Sequence, residues 1–139
     1  MIRRLFAVAV VAMIAFAALP SAWAGSYLDR AALLLDQARK EGDMLQPRTH
    51  DKELVELVKS LAEVRVKVAG KMEVPAAIAK AHPHLLLVLE NSERAAYAAS
   101  MGNFRKFMDH LNTARDEERI FRAIVAELGY SLPELQSKR

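Results

Sequence analysis

The chain has 139 residues, 20 Lys+Arg against 17 Asp+Glu, 53% hydrophobic and 6% aromatic residues, and no cysteine. That size and hydrophobicity describe one folded domain, and the missing thiol excludes disulfides, thiolate zinc sites, iron–sulfur clusters, covalently attached haem and a lipid-modified N-terminal cysteine. Five glycines and five prolines provide too few turns for an all-β sandwich.

Residues 1–24 read as a signal peptide. Arg3 and Arg4 give a positive start, Leu5 to Leu19 is uninterrupted apolar sequence, and Ala22-Trp23-Ala24 sets small residues before Gly25. Fifteen apolar residues rise about 22 Å as a helix, short of the roughly 30 Å core of a bilayer, so cleavage is favoured over an anchor. Cleavage after Ala24 leaves residues 25–139, with 18 Lys+Arg against 17 Asp+Glu. A net charge of +1 in place of +3 removes the basic footprint of nucleic-acid binding. The expected location is periplasmic or secreted.

The remaining 115 residues divide into four helical segments. Ser26 is a candidate N-cap for a helix over Tyr27–Glu41 with Leu28, Ala31, Leu35 and Ala38 on one face. A second helix begins near Thr49 and ends before Gly70. Its expected core stripe is Leu54, Leu57, Val58, Leu61, Val64 and Val68. The alternation from Val64 to Val68 also fits a short strand. After a connection containing Pro75, with a turn or two of helix over Pro75–Ala81, a third helix runs Pro83–Ser100. Its Leu85-Leu86-Leu87-Val88-Leu89 run is apolar nearly all round, marking it for burial. A fourth runs from about Asn103 to Leu128 with Phe104, Phe107, Met108, Leu111, Ala114, Phe121, Val125 and Leu128 as its stripe. Gly129 stops it, and Ser131–Glu134 reads as a frayed final turn. Four amphipathic helices with short connections bury their faces together as an all-α, up-down four-helix bundle.

His82-Pro83-His84 is the candidate metal site. Two imidazoles one residue apart can chelate copper, nickel or zinc, and the residue before a proline is expected to be extended and accessible. The competing reading makes His82 part of a helix start and His84 a surface residue. In an up-down bundle His50 lies at the opposite end from His82, so a site built from all the histidines is not expected. Met44, Met72, Met101 and Met108 are too scattered along the sequence for a methionine copper site, and Met108 is a core filler. No histidine follows a Glu by three residues, so the di-iron motif of carboxylate bundles is absent. No phosphate-binding glycine loop or nucleophile elbow is present either. In size, export and helix count the layout resembles haem-binding four-helix cytochromes, but the first helix offers no methionine as an axial ligand.

Glu118 interrupts the fourth-helix stripe, and Glu90 and Glu93 border the leucine run of the third, with Arg94 four residues after Glu90. A carboxylate facing a bundle core must be paired or protonated. Glu118 is therefore expected to meet an arginine such as Arg94 or Arg65, or else to contact a ligand. The segment Gly102-Asn103-Phe104-Arg105-Lys106-Phe107, followed by Leu111 and Ala114, resembles the helical hairpin of tetratricopeptide repeats over about twenty residues, although Phe107 stands where that family has a small alanine. That resemblance implies peptide or partner recognition. The functional expectation is a non-enzymatic exported module that binds a protein partner or itself through a helical face. The alternative is a metal- or cofactor-binding bundle centred on His82 and His84, with copper, zinc or haem.

Overall fold

A computed structural model describes the backbone of residues 2–135 and side chains from Ala24 onward. The expected signal segment falls outside the fully described part. The described elements are all helical: α1 Ile2–Leu45, α2 Lys52–Gly70, α3 His82–Ser100 and α4 Phe104–Glu127, with short 3-10 turns at Gln46–Arg48 and Ala76–Ile78. The strand considered at Val64–Val68 is helix instead, because the segment continues the hydrogen-bonded ladder of α2. No helix among the described residues is long and apolar enough to cross a membrane.

The helix ends follow from local chemistry. Ser26 caps nothing, because α1 runs straight through it. Asp51, rather than Thr49, caps α2: its Oδ1 accepts from the Leu54 amide at 3.1 Å. Asn103 does the same for α4, accepting from the Lys106 amide at 3.0 Å. Between α3 and α4 the chain reverses at Gly102, whose φ of +69° is open to glycine at no steric cost. There the Asn103 amide reaches the Ala98 carbonyl at 2.9 Å, closing the end of α3. Beyond Gly129 the expected last turn does not form: residues 131–135 have no regular structure, and Tyr130 and Leu132 pack against the core.

Contacts between helices fix their directions. Arg39 meets Glu118 and Asp43 meets Arg115, so α1 and α4 run antiparallel. Glu41 meets Arg65, Lys59 lies over the ring of Tyr97, and His84 meets Glu117 across α3 and α4. The middle of α1 also meets the start of α3 through Tyr27 and His82. These pairs are consistent with a helical bundle.

The core has two parts. One collects Tyr27, Leu28, Leu35, Ile78, Leu85, Leu89, Phe121 and Val125 around the middle of α1. The other collects Leu45, Val55, Val58, Ala95, Ala99, Phe107 and Leu111 near its end. Of the run expected to be buried, Leu85, Val88 and Leu89 are, while Leu86 and Leu87 are half-buried. Four alanines, Ala95, Ala96, Ala98 and Ala99, carry that burial through the second half of α3, where small side chains admit neighbouring helices closely.

α2 departs from expectation. Its buried residues are Val55, Val58, Ala62, Arg65 and Ala69. Leu57, Leu61, Val64 and Val68, assigned from sequence to the core, are 57%, 42%, 56% and 50% exposed. At 3.6 residues per turn the two sets are centred about 110° apart around the helix. The apolar arc of α2 is wider than one interface, and the bundle takes its smaller-residue flank.

Candidate functional site

Three features of the bundle are candidate sites: the histidines, the charged seam along α1, and the outer face of α2.

His82 is the first residue of α3 and half-buried, so the extended, accessible residue expected before Pro83 is replaced by a helical one. The preceding backbone already turns, with the Ala81 amide on the Ile78 carbonyl at 3.0 Å. His82 Nδ1 lies 2.8 Å from the hydroxyl of Tyr27, and the two rings meet edge to face with centroids 5.7 Å apart. Tyr27 is fully buried. Burial pushes its phenol far above the usual tyrosine range and pushes the His82 imidazole below the usual histidine range. Both groups are therefore neutral near pH 7, which suits the phenol O–H donating to Nδ1. His84 points elsewhere, with Nδ1 2.7 Å from Oε2 of Glu117. The two imidazoles thus engage different helices through the same ring atom. His50 lies in the turn after α1, at the other end of the bundle. No group of three or more His, Asp or Glu side chains is placed to hold a metal ion among the described residues.

Glu118 meets α1, where neither Arg94 nor Arg65 is its partner. Both of its carboxylate oxygens lie 2.5 Å from Nη2 of Arg39, and Arg122, one turn along α4, approaches to 3.7 Å. Arg65 is buried and pairs with Glu41, and burial lowers its pKa from the usual arginine value. Asp43 and Arg115 join α1 to α4 a turn further on, at 2.8 Å. Arg94 is exposed and Glu93 half-buried, and neither forms an ion pair among the described residues. The space beside Glu118, lined by Leu35, Arg39, Ser92 and Leu111, amounts to about 20 Å³. That is room for one water, so the carboxylate serves a packed seam between helices.

The outer face of α2 is of a different kind. Leu57, Leu61, Val64 and Val68 form a continuous aliphatic row, and at its lower end Val68 opens into a 350 Å³ groove with Leu33, Leu34 and Met72. Leu33 on α1 is itself 48% exposed. Single exposed leucines need no explanation, but here four large aliphatics are aligned on one helix face and bordered by a further one. Sequence reasoning missed it because it put these residues inside. The signal that could have found it was present: Val55, Val58, Ala62 and Ala69 form a second apolar register on the same helix, and two registers cannot both face one core.

No family model, curated protein or solved structure matches the chain.

Proposed function

We propose that the protein is an exported, non-enzymatic binding module: residues 1–24 direct export and are removed, and the remaining up-down four-helix bundle acts in the periplasm or outside the cell. The observation that carries this reading is the outward row Leu57, Leu61, Val64 and Val68, whose burial against a partner would remove its aliphatic surface from water. The ionisable clusters support it by being internally matched. Glu118, Arg65 and Asp43 each have a partner on another helix, which is the pattern of groups that hold a bundle together.

Metal binding at His82 and His84 has weaker support. A chelate through both Nδ1 atoms would break the contacts to Tyr27 and Glu117 together. Copper or zinc titration followed by thermal unfolding tests it, and a metal-dependent rise in Tm that is lost in His82→Gln would restore it.

The test of the binding reading is crosslinking in extract of the native chain beside Leu61→Glu. Leu61 lies outside the core, so this variant should keep its helicity. Crosslinked assemblies formed by the native chain and lost in Leu61→Glu are the expected result. Identical crosslinking patterns in both, or none in either, would overturn the reading.

A further inference from the structure

The outward row has a regular spacing. Leu54, Leu57, Leu61, Val64 and Val68 are separated by three, four, three and four residues, the a and d positions of a heptad. Leu54 is half-buried at the edge of the bundle and the other four are exposed. The row extends about 21 Å along the helix axis. Two heptads are too short to fold a free coiled coil, but α2 is already held as a helix by its inner face, and docking needs no further helix formation.

The charges beside the row select the occupant. In this register the g positions are Glu53, Ser60 and Lys67, all on the solvent flank of the row. The e positions are Val58 and Arg65, and both are turned into the bundle. A parallel partner helix pairs g with e, which here would oppose surface charges to groups already buried in the bundle. An antiparallel partner pairs g with g. The g series carries opposite charges on either side of Ser60, so it complements a reversed copy of itself: Glu53 falls opposite Lys67, Ser60 opposite Ser60, and Lys67 opposite Glu53. The same alignment sets Leu57 against Leu61 and Leu54 against Val64 in the core layers.

We infer that the outer face of α2 binds a second copy of this chain, antiparallel and about a two-fold axis near Ser60. The contact is isologous, so it closes at a dimer. This rests on the binding-module reading above and names its partner. Leu33, at the rim of the groove beyond Val68, lies beside the dimer seam and extends its apolar area onto α1.

Sedimentation equilibrium on the purified chain tests it, with three variants. The native chain is expected to be a dimer and Leu61→Glu a monomer of unchanged helicity. Glu53→Lys and Lys67→Glu each replace two attractive pairs by two repulsive ones and should each weaken the dimer about tenfold. An equal mixture of those two variants restores both attractions, so it should form a heterodimer about as tight as the native dimer. A purified native chain that stays monomeric, while an assembly sensitive to Leu61→Glu persists in extract, would overturn the second copy and leave the binding reading standing. Absence of any assembly sensitive to Leu61→Glu would overturn both. A dimer indifferent to the charge reversals, or a mixture no tighter than its components, would overturn the antiparallel arrangement.

Discussion

Arg39 on α1 holds both carboxylate oxygens of Glu118 on α4 at 2.5 Å, across 79 residues of sequence. Arg39 is 44% exposed and Glu118 15%, so solvent screens one side of the pair and the other lies against apolar packing. Pairs at a surface contribute up to about 1 kcal/mol, and this one belongs near the upper end because Arg122 adds a second positive charge. Arg39→Ala should lower unfolding free energy by about 1 kcal/mol. A double-mutant cycle with Glu118→Gln should give a coupling of about 0.5–1 kcal/mol that falls as salt is raised from about 0.05 to 0.5 M. A coupling near zero at low salt would show that the contact does not bind α1 to α4.

The pair formed by Arg65 and Glu41 should behave differently, because Arg65 is 7% exposed and its burial opposes the charge. Replacing Arg65 alone with methionine keeps the stem's packing and leaves Glu41 unpaired in a largely buried site. Breaking fully buried pairs costs roughly 3–5 kcal/mol, and the residual solvent access of Glu41 reduces this to about 2–3 kcal/mol. Replacing both with methionine should recover most of the loss. Urea denaturation of the two variants decides it: equal destabilisation by the single and double changes would mean that the arginine stem, and not the charge pair, is what matters.

These pairings were not legible in the sequence, and the reason is physical. The period of α4 gave Phe107, Leu111, Ala114, Phe121 and Val125 correctly, because its apolar residues form one narrow stripe with charges on the other sides, but Phe104 and Leu128, assigned to the two ends of that stripe, are 51% and 36% exposed. α1 yielded to the same logic through Leu28, Ala31, Leu35 and Ala38. α2 did not, because hydropathy ranks Leu57 and Leu61 above Ala62 and Ala69, whereas close packing against α1 and α3 favours the alanines. The partners of Glu118 and Arg65 depend on the rotation of each helix about its own axis. That rotation is set by the packing of all the helices together and leaves no mark on the spacing within one of them.

The Tyr27 and His82 pair gives a pH dependence whose sign follows from burial. Desolvation lowers the folded-state pKa of His82 below the unfolded value of about 6.5. Between those two values the unfolded chain binds more protons than the folded one, so stability falls as pH drops from about 7 through 6.5 and stops falling below the folded-state pKa. Above pH 7 the effect is fully present as stability. His82→Gln should be flatter with pH over this window than the native chain, and subtracting the two curves removes the common contribution of the other titrating groups. Tyr27→Phe removes the hydroxyl facing Nδ1 and should cost about 1–2 kcal/mol at pH 7. Parallel stability curves for native chain and His82→Gln between pH 5 and 7 would refute the assignment.

Gly102 carries the reversal between α3 and α4 at φ +69° with open space around its Cα. Adding a methyl group meets no neighbour, so any loss reports backbone conformation alone. Gly102→Ala should cost about 1 kcal/mol, and Gly102→Asn less, since asparagine tolerates this region better than alanine. Thermal unfolding of the pair gives the answer, and equal Tm for all three chains would mean that the turn relaxes without strain.

The outer row of α2 makes the sharpest contrast with ordinary core residues. Leu57 and Leu61 are 57% and 42% exposed, whereas Val58, between them, is 5% exposed and Leu89 on α3 is 1% exposed. If the row had a place in the core, as its hydropathy alone suggests, Leu61→Ala would cost roughly 2–5 kcal/mol, as a buried leucine does. From its position in the structure, the change should alter the stability of the isolated monomer by less than about 0.5 kcal/mol. Leu89→Ala in the same background should cost about 3–4 kcal/mol. Because dimer dissociation adds a concentration-dependent contribution, the comparison is best made at several protein concentrations. The loss from Leu61→Ala should grow with concentration while that from Leu89→Ala stays nearly constant. A large, concentration-independent loss from Leu61→Ala would return this residue to the core and remove the docking face.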